Sequence, residues 1–163
     1  MQLIFVVESN KESKSDYFYI SETVKKYYNF SGHKLTDIYM DGKGKYNKKE
    51  HEIRKSISKY KGESKVFICY DIDNPNNPAY IINSNIEKYA KSNNYDLIWF
   101  YEDVESVYLK TPIPNSEKTQ AAKKFVSLNK IENVKENDLV QKEISKKNSS
   151  NILSVLDKYL SRK

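Results

Sequence analysis

Two aspartates one residue apart, Asp71 and Asp73, close the run Val66-Phe67-Ile68-Cys69-Tyr70 and stand just before Asn74-Pro75-Asn76-Asn77-Pro78. An apolar run of this length suits a strand buried on both faces, and the Asn/Pro turn ends it. The carboxylates therefore sit where a buried strand emerges, at the edge where open α/β sheets bind ligands. At i and i+2 on one strand they point the same way. Like charges held together repel each other unless a cation lies between them. Hard oxygen donors on a rigid edge suit Mg²⁺ or Mn²⁺. An ion held there would orient a phosphodiester, supply hydroxide and stabilise the leaving oxygen.

The elements around this stretch decide whether other acids reach it. Leu3-Ile4-Phe5-Val6-Val7 predicts a first buried strand ending at Glu8. A helix capped by Ser13 or Ser15 runs to about Asn29 and closes at Ser31-Gly32, and Leu35 to Met40 predicts a second strand ending at Asp41. A helix from about Lys48 to Tyr60, with Asn47 as its cap, precedes the central strand. After that strand, a helix from about Ala79 to Ser92 places Ile81, Ile82, Ile86 and Tyr89 on one face. Asp96 to Tyr101 is a fourth strand that stops at Glu102-Asp103, and Glu105 to Leu109 begins a short helix. Strands alternating with helices give an α/β fold with a four-stranded parallel sheet and helices on both faces. In such a sheet all four strands end on one edge, so Glu8, Asp41, Asp71, Asp73, Glu102, Asp103 and Glu105 gather there.

Thr111-Pro112-Ile113-Pro114 is a break. It divides the chain into an α/β domain, residues 1–110, and a basic helical extension, residues 111–163, with helices expected over 116–129, 134–147 and 150–161. Residues 1–105 balance sixteen basic against sixteen acidic side chains, so residues 106–163 carry the whole net charge of +6. A neutral domain with a basic tail fits a polyanionic partner near the sheet. Lys43 and Lys45, in Asp41-Gly42-Lys43-Gly44-Lys45, and Lys11, beyond the first strand, are the candidates to touch nucleic-acid phosphate. The glycine-lysine stretch lacks Walker spacing. No Gly-x-Gly-x-x-Gly follows the first strand, which argues against a dinucleotide fold. A phosphoacceptor receiver needs an acidic pair after the first strand, where only Glu8 stands. His33 and His51 have no partner spacing for zinc or a nucleophilic triad. Trp99, between Ile98 and Phe100, reads as sheet core. The single Cys69, inside the central strand, is a buried structural thiol. No apolar run is long enough to span a bilayer and Met1 to Val7 has no signal-peptide pattern, so a cytoplasmic location is expected.

An apolar strand ending in Glu, then roughly sixty residues, then an apolar strand ending in Asp-x-Asp resembles the Toprim domain of topoisomerases, primases and small nucleases. The resemblance implies Glu8 as general acid/base or metal ligand and Asp71 and Asp73 as Mg²⁺ holders. Val6-Val7-Glu8 followed by the polar turn to Asp16-Tyr17-Phe18, and Leu97 to Asp103 followed by Val104-Glu105, are similar to the RloB-like branch of standalone bacterial Toprim proteins. There Glu105 matches the second glutamate. The branch implies a metal-dependent nuclease acting on DNA or RNA in a phage-defence, restriction or abortive-infection setting, with an ATPase as partner. Ser9 stands where many members have Gly, and the branch's Asn-Pro before the last Glu and its Trp and His after it are absent. These departures keep a second expectation open, a catalytically degenerate relative that binds a protein partner or nucleic acid.

Overall fold

The computed structural model describes residues 1–163. A five-stranded sheet runs in the order β2-β1-β3-β4-β5. β1 (Gln2–Val7), β2 (Lys34–Tyr39), β3 (Ser64–Asp71) and β4 (Asp96–Tyr101) are parallel, as expected. The fifth strand, β5 (Ser149–Ser150), was not expected; it pairs antiparallel with the outer edge of β4.

The strand residues sort by parity, as the two-residue period of a strand requires. Leu3, Phe5, Val7, Phe67 and Cys69 face one layer with α1 (Ser15–Tyr27), α4 (Val104–Leu109), α5 (Lys118–Ser127) and α6 (Ile152–Leu156). Ile4, Val6, Val66, Ile68 and Tyr70 face the other, against Ile53 of α2 (Glu50–Lys59) and Ile86 and Ala90 of α3 (Asn83–Asn93). β1 and β3 lie inside the sheet, which explains their unbroken apolar runs. No helix is long and apolar enough to cross a membrane.

Several element boundaries differ from expectation for local reasons. α1 is preceded by Lys14 in the left-handed region rather than capped by a serine hydroxyl, and Asn10 Oδ1 accepts the Ser13 N–H at 2.8 Å instead. α2 has no side-chain cap at Asn47. The expected helix over 79–92 splits: Asn77 Oδ1 caps a tighter 3-10 turn at Pro78–Ile82, and α3 follows. That turn throws Ile81 outward to 77% exposure, off the inner face its spacing suggested.

The largest correction lies beyond the Pro112–Pro114 break. Residues 134–147 form no α-helix, only a 3-10 turn at Glu136–Asp138 followed by irregular chain. Side-chain anchors replace the helical ladder there. Asp138 is buried and its two carboxylate oxygens meet Lys110 Nζ at 2.9 Å and Lys146 Nζ at 2.5 Å. Val134 and Leu139 on either side join the core. Residues 111–163 thus close over the α1 face of the sheet, with Ala122, Phe125, Ile131 and Leu153 in the same cluster as Leu3 and Phe5.

Candidate functional site

Parallel topology brings β1 and β3 out side by side, and the first contact between their ends joins Glu8 to Asp71. Glu8 Oε1 accepts the Asp71 N–H at 2.8 Å. Asp71, the last residue of β3, turns its own Oδ1 to the N–H of Val104, at 3.0 Å, where α4 begins. The cap of that helix is Asp103, whose Oδ1 accepts the Ser106 N–H at 2.7 Å. Ends of β1, β3 and β4 are therefore tied together through carboxylates, and Glu8, Asp71 and Glu105 share one edge.

Asp16 belongs to this edge too. From the first turn of α1 its Oδ2 accepts the Ser9 N–H at 2.9 Å, folding the polar turn back over the end of β1. Burial raises the affinity of Asp16 for its proton above the usual aspartate range. Glu8 is pushed from 4.5 up to about 8, first by burial and then by the charge of Asp16, against the pull of the Asp71 N–H and the positive charge of Lys43. Asp71 is raised well above its ordinary value by burial and by Glu8, Asp16 and Glu105. Neither Glu8, Asp16 nor Asp71 has a lysine or arginine at ion-pair distance. Removal from water and mutual repulsion act on all three in the same direction.

The remaining acids are matched by lysines. The strand ends at Asp71, so alternation along β3 does not govern Asp73, which takes a left-handed φ of 64° and donates its N–H to Glu102 O at 2.9 Å. Its Oδ2 is 2.6 Å from Lys43 Nζ. Glu105 is fully buried, with Lys118 Nζ 2.9 Å from Oε2. Apart from this ion pair, neither Glu105 oxygen has a hydrogen-bond partner. Burial raises the Glu105 pKa while Lys118 opposes the rise. As they stand, no three Asp, Glu, His or Cys side chains are arranged around a common ion.

The three lysines singled out for phosphate contact part ways. Lys43 is buried and faces inward, so it is not a free surface base; the 3-10 turn Lys43–Lys45 tucks it under the edge. Lys45 is exposed and pairs with Asp41 at 2.8 Å. Lys11 is exposed on the loop after β1. Asp41 lies with Lys45 at the surface, outside the acidic group. Sequence reasoning missed Asp16, although it sits in the quoted polar turn before Tyr17-Phe18. It also missed Lys118, which nothing in the sequence connects to the strand ends across the Pro112–Pro114 break. Beside the edge, a cleft of about 860 Å³ opens between the loop after β3 and Ile144, with Tyr80 and Ile81 on its wall.

Comparisons with protein-family models, with curated proteins and with solved structures return no match. The fold and site by themselves define an α/β protein with a mostly parallel sheet and an acid-lined edge at the C-terminal ends of its strands.

Proposed function

We propose that the chain is a Toprim-type, metal-dependent phosphodiesterase acting on nucleic acid. The observation that carries this reading is the meeting of Glu8 and Asp71, sixty-three residues apart, as close acids with no cationic partner. Their raised proton affinities come first from burial and then from neighbouring carboxylates, with Lys43 offsetting part of the rise at Glu8. Glu8 and Asp71, with Asp16 the next acid beside them, would be the donors to Mg²⁺ or Mn²⁺, both of which take carboxylate oxygens, once their side chains turned toward a shared ion. Asp73 does not fit, because Lys43 already covers it. A divalent ion, when bound, lowers the pKa of water and neutralises charge developing on phosphate.

The chain's own residues supply the rest. The Asp71 and Val104 N–H groups fix one oxygen of Glu8 and one of Asp71, so the carboxylates are oriented before any ligand arrives. Glu8 holds its proton to about pH 8 in the ion-free chain and could then pass it to or from a reacting oxygen; as an ion ligand it would be ionised instead, so the two roles are alternatives. Lys118, a quarter exposed, is held against Glu105 at 2.9 Å and adds a positive charge at this edge. Exposed Lys11 and Lys45 stand on the loops that flank it. An ATPase partner and a phage-defence role belong to this proposal through the RloB-like resemblance.

A second reading has its own support: the Lys43–Asp73 and Lys118–Glu105 pairs neutralise much of the edge internally, which suits a non-catalytic protein that binds nucleic acid or a partner. The test is cleavage of single- and double-stranded DNA and RNA with Mg²⁺ or Mn²⁺, using wild type and D71N. Ion-dependent cleavage that falls at least about 100-fold in D71N is expected. Cleavage that persists in D71N rules the site out, and salt-dependent binding without cleavage supports the second reading.

A further inference from the structure

Four large apolar side chains stand exposed on this chain, and three of them, Tyr80, Ile81 and Ile144, line the same cleft of about 860 Å³. Apolar surface gathered in one concave place marks a binding site rather than a solvated surface. Ile72, the residue between Asp71 and Asp73, lies on the cleft wall, so the cleft opens beside the acid-lined edge. Its polar groups follow a helical stripe. Tyr80, Asn83 and Glu87 are spaced by three and four residues across the Pro78–Ile82 turn and α3, which puts them on one face. Asn83 is 8% exposed; its Nδ2 donates to Ile72 O at 2.8 Å, and its Oδ1 has no partner. A buried acceptor left unpaired is costly, and a donor carried by a ligand relieves it. Glu87 is exposed, and no lysine or arginine lines the cleft with it. The Tyr70 hydroxyl approaches Oε1 at 3.5 Å and leaves Oε2 free. Asn77 Oδ1 is held by the Ala79 N–H at 3.0 Å, which leaves Asn77 Nδ2 to donate.

We propose that this cleft is a base pocket that takes an unstacked guanine of a single-stranded nucleic acid. This deepens the nucleic-acid reading above and rests on it for the substrate class. A carboxylate only accepts hydrogen bonds. Guanine is the base whose pairing edge sets two donors side by side, N1–H and the 2-amino group, next to one acceptor, O6. Adenine and cytosine place an acceptor beside their amino group and would turn a lone pair toward Glu87. Tyr80 supplies a ring on which a base stacks, with Ile81 and Ile144 as apolar walls. An arginine from a protein partner also brings paired donors, but it carries no acceptor for Asn77 Nδ2. With no cation on its wall, the cleft takes the base and leaves phosphate outside, towards the strand ends.

Fluorescence anisotropy of labelled single-stranded oligothymidylates with the full chain, in EDTA, tests this. One guanine in the strand is expected to tighten binding at least about tenfold over an all-thymine strand or one with a single adenine. Inosine in its place, which lacks the 2-amino group, is expected to lose about fivefold or more of that gain. Tyr80 and Glu87 are exposed, so their variants keep the fold. E87Q is expected to abolish the guanine gain while binding the all-thymine strand within about threefold of wild type. Y80A is expected to weaken the guanine strand about fivefold to 100-fold. Displacement of the guanine strand by excess guanosine, with adenosine inert, supports the pocket. Displacement by arginine amide but not by guanosine overturns it in favour of a protein partner's cation. Equal binding of guanine, adenine and thymine strands, or a guanine gain that survives in E87Q, overturns the pocket and leaves the phosphodiesterase reading to the D71N assay. A guanine gain without ion-dependent cleavage supports the pocket and removes the phosphodiesterase reading. Binding of free guanosine without binding of any strand overturns the strand as the source of the base, and no binding of either overturns both readings.

Discussion

At the scale of single residues, the edge stores charge that folding makes unfavourable. Glu8 loses its proton near 4.5 in an ordinary setting and near 8 in the folded chain. Between those values the folded state holds a proton that the unfolded state has released. Stability from this group is therefore fully present below the ordinary carboxylate range and is lost as pH rises through about 8. Asp16, Asp71 and Glu105 shift in the same direction, each from burial first. Metal-free protein should accordingly lose at least about 1 kcal/mol of stability between about pH 5 and about pH 9, and E8Q should flatten the profile. Denaturant titrations across that range provide the check. A level or rising profile in wild type would mean that these carboxyls are ionised in the folded state. The identities of Glu8 and Asp71 were legible because each directly follows an apolar run. The pairing of Asp73 with Lys43 was not, because it depends on a left-handed φ at Asp73 and on a loop that returns from β2.

At the scale of elements, legibility follows the length of the hydrophobic signal. β1, β3 and β4 are continuous apolar runs that a buried parallel strand demands, and each forms where expected. β5 is two serines, with no periodicity to read, and its place comes from side-chain chemistry. Ser150 Oγ donates to Trp99 O at 2.6 Å. Asn151 then extends the ladder with its amide: Oδ1 accepts the Trp99 N–H at 2.9 Å and Nδ2 donates to Leu97 O at 3.0 Å. One asparagine side chain thus covers the edge of β4 where backbone pairing stops, a substitute for a longer strand. N151A should cost about 1–3 kcal/mol, the penalty of leaving a half-buried N–H and C=O unpaired. It should also speed hydrogen exchange at the Trp99 amide more than at amides of β1. N151D, which turns a carboxylate oxygen toward the Leu97 carbonyl in place of a donor, should cost at least as much as N151A. Unchanged stability in N151A would show that water replaces the amide without loss.

At the scale of the whole molecule, the Pro112–Pro114 break is a boundary in sequence, but the core runs through it. Ten of the 25 residues in the larger cluster, from Ala122 to Leu160, come from beyond residue 110. The hydroxyl of Tyr28, the residue just after α1, donates to Leu153 O at 3.1 Å, and Lys118 carries a positive charge from α5 to Glu105. The basic excess of residues 106–163 is thus partly turned inward, against acids at the strand ends, rather than displayed as a free tail. Burying a large aliphatic or aromatic side chain contributes about 1.5–3 kcal/mol, while a whole domain is stable by only roughly 5–15 kcal/mol. Removing nine such side chains, with Ala122 the tenth, strips more than the net stability and bares the Leu3, Phe5 and Phe67 face of the sheet. A fragment of residues 1–110 should therefore bind a hydrophobic dye, aggregate and lack a cooperative unfolding transition, although it contains β1 to β4 and Glu8, Asp16, Asp71 and Asp73. The measurement is thermal and denaturant unfolding of the fragment beside the full chain. A cooperative transition with the circular dichroism of a folded α/β unit would show that residues 1–110 stand alone, and would make residues 111–163 an appendage to a self-sufficient domain.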